Sequence, residues 1–180
     1  MKNTLRLTAL LLSMLLAGCF FTKESYHPVR YFDIGKPEAG KYTAAVRTVS
    51  FTSAGPYKFD VVYRTQQNEL VKDDYNKWIQ TPETMLENYI RICFASPDSK
   101  SDEGSVRVAG RILIFEVDIT KNETVISVEY KISANDKTIE KTVTYKSTLK
   151  DKSPESIAEA MSGSAAKFAA LLDEEIKKLK

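Results

Sequence analysis

Histidine is nearly missing from this chain. His27 is the only one, and it lies among Pro28, Gly35, Pro37 and Gly40 in a stretch without sustained period, where little would hold an imidazole in place. A histidine-dependent triad and a His-rich zinc site are thereby excluded. Cysteine is as scarce, with Cys19 and Cys93 alone, and Cys93 falls in an apolar helical stretch where it reads as a small core residue. Glycine-rich phosphate loops and Walker-type patterns are absent, which excludes nucleotide hydrolysis by this chain. No apolar run reaches the roughly 20 residues of a membrane-spanning helix. The 24 acidic residues offer Asp73 and Asp74 as the nearest thing to a carboxylate dyad, but consecutive strand residues point to opposite faces. The expected reading is a protein that is not an enzyme and carries no metal and no cofactor.

What is present begins with the first 19 residues, MKNTLRLTALLLSMLLAGC. Lys2 and Arg6 precede an apolar core from Leu7 to Ala17, broken only by Thr8 and Ser13. A basic start followed by an apolar core of about ten residues is a secretory signal, too short to be kept as a span. Leu16-Ala17-Gly18-Cys19 resembles the lipobox of bacterial lipoproteins. That resemblance implies cleavage before Cys19, a diacylglycerol on its thiol and an acylated new amine. One acyl chain of about 14 carbons binds a membrane marginally, whereas two or three make the attachment practically permanent, at roughly 0.8 kcal/mol per buried CH₂. In enteric-type lipoproteins an Asp after the cysteine commonly marks the inner membrane. Here the residue is Phe20, which implies the outer membrane, with the domain facing the periplasm.

Removing residues 1–18 leaves 180 − 18 = 162 residues and lowers the formal charge from +2 to +2 − 2 = 0. That length suits one domain with a real core. The neutral balance argues against nucleic acid or an anionic surface as the main partner. With Cys19 acylated, Cys93 is a lone thiol that cannot form an internal disulfide.

Residues 19–40 read as anchor and linker, and 41–180 as a single domain. KYTAAVRTVSF (41–51) reads as a strand, and DVVYRT and ELVKD, separated by Gln66, Gln67 and Asn68, as a hairpin. Thr81-Pro82 is a hydroxyl cap with proline at the first helical position. Met85, Leu86, Tyr89, Ile90 and Cys93 then share one helical face. Residues 95–105 form a polar loop. In VRVAGRILIFEVDI the apolar parity changes near Gly110, which predicts a bulge there or burial on both faces. ETVISVEYKIS places Ile126, Val128, Tyr130 and Ile132 inward, while TIEKTVTYKS turns threonines and charges outward, as on a solvated face or edge. Ser153-Pro154 opens a second helix whose stripe runs Ile157, Met161, Ala165, Phe168, Leu172, Ile176 and Leu179. Asp173–Lys177 and Glu174–Lys178 are favourable pairs on it, and Ser162-Gly163-Ser164 predicts a kink or close approach. The expected fold is a two-layer α+β domain, with an antiparallel or mixed sheet of about five or six strands packed on helices at about 81–94 and 154–179.

The densest stretch is FDVVYRTQQNELVKDDYNKWIQTP, from Phe59 to Pro82. On pattern alone it reads first as scaffolding. Val61 and Tyr63 share one hairpin face, Val62 and Arg64 the other, and Trp78 would pack over the first turns of the helix. A lipobox signal, a strand like AVRTVSF, then FDVVYR, a turn, DDYNKW and a TP helix start resembles the ABC-type transport auxiliary lipoprotein family. The matching positions are Phe59, Asp60, Tyr63, Arg64, Asp74, Tyr75, Asn76, Trp78 and Pro82, and the closing helix AMSGSAAKFAALLDEEI resembles the Ala-rich terminal helix of that family. The likeness covers most of residues 41–176, departing in loop 96–104 and in the Lys/Thr-rich strands after Thr120.

The resemblance implies a non-catalytic periplasmic accessory of an ABC transport system, often one carrying lipid-binding MCE proteins, that helps move phospholipid or other hydrophobic cargo between membranes. Its implied partners are the membrane through Cys19, a periplasmic component of the transporter, and further copies of itself in a ring. The alternative is a structural or assembly lipoprotein, such as a chaperone for an outer-membrane complex or a regulator of cell-wall synthesis.

Overall fold

The computed structural model describes residues 26–44, 46–95 and 106–179. The signal, Cys19 and most of the polar loop at 95–105 lie outside the described residues. The elements are β1 (Arg30–Phe32), β2 (Val46–Ser53), β3 (Asp60–Gln66), β4 (Glu69–Trp78), α1 (Pro82–Cys93), β5 (Val106–Asp118), β6 (Glu123–Ala134), β7 (Lys137–Thr148) and α2 (Pro154–Leu179). The seven strands form one mixed sheet in the order β1-β4-β3-β5-β6-β7, with β2 also paired to β5. Thirteen-residue β5 is the spine. One border is taken along its length by antiparallel β6. The other is shared, with β2 running parallel to Val106–Ile112 and β3 parallel to Val117 and Asp118.

The α+β class is as expected, but the sheet has more strands than the five or six anticipated. The extra strand, β1, lies inside the stretch assigned to the 19–40 linker. Its three residues pair in parallel with Asn76–Trp78 of β4, and Ile34 just beyond is buried. Three residues are too few to show a period, so only the partner strand makes β1 visible. The folded domain therefore begins near residue 30, not 41.

Both helices lie on one face. The predicted stripe of α1, Met85, Leu86, Tyr89, Ile90 and Cys93, is buried, as are all seven stripe residues of α2. At the centre Phe168 meets Phe51 and Tyr130 edge-on, with ring centroids 6.0 and 5.6 Å apart. Gly110 makes this packing possible. It sits opposite Phe51 in the β2–β5 register, and a Cβ there would come within 2.4 Å of the Phe51 ring.

The bulge in β5 is not at Gly110 but three residues on. Ile112 pairs with Val128 and Ile114 with Ser127, so Leu113 is the extra residue that flips the parity. Beyond it Phe115 and Val117 point to the core. The close approach expected at Ser162-Gly163-Ser164 is made by Ser164, which is fully buried and meets Ser147 Oγ at 3.0 Å, while Gly163 has open space around it. Lys178 pairs with Glu175 rather than Glu174, and Lys141 reaches the same carboxylate from β7.

Candidate functional site

The β3–β4 hairpin holds most of the predicted site residues. Asp60 is opposite Lys77, yet Val62 is opposite Lys72, so residues 73–76 of β4 face a single residue of β3. Asp73 builds this wide bulge. Its carboxylate accepts from the backbone N–H of Tyr75 and Asn76 at 2.8 Å each, from Asn76 Nδ2 at 2.9 Å and from the Tyr63 hydroxyl at 2.9 Å. An aspartate folding the chain back onto its own carboxylate is a known alternative to the strand ladder. Asp73 and Asp74 thus form no dyad: one is a turn hub and the other is exposed.

Electrostatics follow from these bonds. Burial pushes the Asp73 carboxyl up, but the hydrogen bonds from Asn76, Tyr75 and Tyr63 outweigh it and the net shift is downward. Burial, reinforced by the Asp73 carboxylate, raises the Tyr63 phenol well above its ordinary range, so Tyr63 stays a neutral donor. Asp60 is held low by Lys77 and Lys72, each at 2.9 Å. Lys77 also donates to the Asp73 carbonyl at 2.5 Å. Arg64 forks onto Glu116 of β5, with Nε to Oε1 at 2.5 Å and Nη2 to Oε2 at 2.9 Å, and donates to Gln67 O at 2.8 Å. Glu116 is only 3% exposed.

The remaining positions divide sharply. Trp78 is buried in the core: its ring meets Phe115 edge-on at 5.4 Å, and its backbone N–H donates to Phe59 O at 2.6 Å. Pro82 is buried at the first turn of α1. Phe59 and Tyr75 are half exposed, and Tyr75 packs near His27 at 5.3 Å between ring centroids. The nine positions that carry the resemblance therefore divide into a locked frame of Asp60, Tyr63, Arg64, Asn76, Trp78 and Pro82, with Phe59, Asp74 and Tyr75 on the outside. Sequence reasoning missed Asp73, the hub. The available signal was an Asp followed two and three positions later by residues free to donate their N–H groups.

Every exposed large apolar side chain among the described residues lies at this end of the sheet: Tyr26, Val29, Tyr31, Phe59, Leu70, Val71, Tyr75 and Ile79. They occupy β1, β4 and the segments flanking β1, β3 and β4, on the border opposite β7. Tyr31 pairs with Lys77 in register while Phe32 pairs with Trp78, so Tyr31 stands on the side away from the helices.

No cluster of three or more His, Cys, Asp or Glu suited to a metal occurs among the described residues. Cys93 is a buried free thiol pushed up to about 11 by burial, which leaves little thiolate at neutral pH. The open sheet face carries a shallow trough floored by Ser50, Thr52 and Ala109 and walled by Arg111, Glu129 and Lys131. Arg111 and Glu129, partners in the β5–β6 register, pair at 3.2 Å.

No family model and no curated protein matches the chain. Solved structures do. An uncharacterized protein is similar at 13% identity with a TM-score of 0.68, over 83% of this chain and 99% of its own. Protein XCC0632 from Xanthomonas campestris, of the DUF330 family, is similar at 14% identity with a TM-score of 0.61, over 84% of this chain and 99% of its own. At such identities the likeness speaks to the fold alone.

Proposed function

We propose that this protein is a lipid-anchored periplasmic accessory of an ABC transport system of the MCE type, held at the outer membrane through acylated Cys19 and working by docking rather than catalysis. The observation that carries the reading is the hairpin. Its signature residues are spent on holding β3, β4 and β5 together, and what they present outward is apolar surface instead of a pocket lined by acids or bases. A lipobox ahead of such a frame supports a module whose surface is its function.

The partner surface assigned to the transporter is the open sheet face around Ser50, Thr52, Ala109, Arg111, Glu129 and Lys131. Small side chains there let another backbone approach, and the flanking charges set register. Alanine at Tyr63, Arg64 or Trp78 would not test this, since all three hold the fold. The test is a photoreactive side chain placed at Arg111 or Lys131 in the intact envelope. Adducts to an MCE-domain protein or to the transporter are expected. Adducts instead to outer-membrane assembly or cell-wall synthesis proteins would favour an assembly lipoprotein and overturn the transport reading.

A further inference from the structure

The apolar border of β1 and β4 needs a cover. Eight large apolar side chains are exposed along it, from Leu70 at 38% to Tyr26 at 87%, and apolar exposure gathered on one border marks a protein or membrane contact. Two observations favour the membrane. The first is covalent: Tyr26 follows Cys19 by 26 − 19 = 7 residues, and seven residues span at most about 25 Å even fully extended. If Cys19 sits in the headgroup layer, Tyr26 and the start of this border stay within that reach of the bilayer.

The second is composition. Tyr26, Tyr31 and Tyr75 join an apolar ring to a hydroxyl, the side-chain type that settles at the headgroup level, and Phe59 and Ile79 beside them supply apolar surface.

We infer that the β1–β4 border is a membrane-contact surface that lays the domain edge-on against the phospholipid headgroups beside its own anchor. The inference rests on acylation at Cys19. The tether supplies affinity that the patch alone lacks, because a short linker raises the effective concentration of bilayer at the border to about the millimolar range. The contact is apolar rather than electrostatic. Three of the basic side chains along it are already paired, Lys72 and Lys77 with Asp60 and Arg30 with Glu155.

The test uses the mature acylated chain in vesicles of phosphatidylethanolamine and phosphatidylglycerol, with p-benzoylphenylalanine in place of Tyr75, of Phe59 or, as a control on exposed β7, of Thr142. Phospholipid adducts at Tyr75 and Phe59 are expected to exceed those at Thr142 by about tenfold, at low and high salt alike. Equal yields at the three positions overturn the inference. So do adducts from Tyr75 and Phe59 that run only to a second copy or, in the intact envelope, only to another protein. Intact mass of the same chain reports acylation separately. An acylated chain without border-specific lipid adducts removes the membrane contact and leaves the tether, whereas an unmodified Cys19 removes both.

Discussion

Arg64 and Glu116, 52 positions apart, show what a single ion pair does in this fold. Glu116 is buried and Arg64 about a quarter exposed, so removing the guanidinium strands a carboxylate with little water to replace it. Arg64→Ala is expected to lower unfolding free energy by about 3 kcal/mol, the lower end of the range for broken buried pairs because Arg64 is partly solvated. Urea denaturation measures it, and a loss under about 1 kcal/mol would show that Glu116 finds other partners. Asp118 is the corresponding case for pH. Hydrogen bonds from Thr120 above all, then from Lys121, outweigh burial and pull its carboxyl down to about 2, against an ordinary value of 3.8. A depressed folded-state value means stabilisation that is complete above the unfolded value and is lost as pH falls toward the folded one. Asp118→Asn is therefore expected to be less stable than the native chain by about 2 kcal/mol near pH 6, the gap closing as pH drops from about 4 to about 2. Denaturation midpoints across that range give the comparison.

At the scale of elements, the two helix starts look alike in sequence and differ in substance. Ser153 Oγ accepts from Ser156 N–H at 3.2 Å, whereas Thr81 makes no side-chain bond to the helix backbone and its hydroxyl meets Thr84 Oγ1 at 2.9 Å. Ser153→Ala is expected to cost about 1 kcal/mol and Thr81→Ala less than about 0.5, as read by thermal unfolding. Periodicity exposed both helices, β6 and β7, because those segments are long enough for an apolar stripe or alternation to repeat. It could not expose β1, which exists only as an addition to Asn76–Trp78, nor the bulge at Leu113, where the parity change was visible but Gly110 drew attention to itself. Gly110 has a different task. Gly110→Ala would drive a methyl into the Phe51 ring, with an expected loss of about 2 kcal/mol in chemical denaturation.

Across the whole molecule, the frame and the surface separate. The nine signature positions were legible as a group in the sequence, but not their division, because exposure depends on the wide bulge that Asp73 folds. Phe59→Ser and Tyr75→Ser are expected to change stability by less than about 0.5 kcal/mol, as surface positions do, while Trp78→Ala costs about 3 to 5 kcal/mol. A chain that tolerates the first pair and fails with the second has its scaffold inside the hairpin and its contacts outside. On the proposed reading, the open face around Arg111 and the apolar border around Tyr75 are two attachments, one to a transporter and one to lipid, on a module fastened at Cys19. All of this turns on a fatty-acylated sulfur at position 19. The deciding measurement is the intact mass of the mature chain extracted from the envelope with detergent. A chain beginning at Cys19 and heavier than its sequence by a diacylglyceryl group and an amide-linked acyl chain is expected; a chain that still carries residues 1–18, or that begins at Cys19 with a bare thiol, would contradict it.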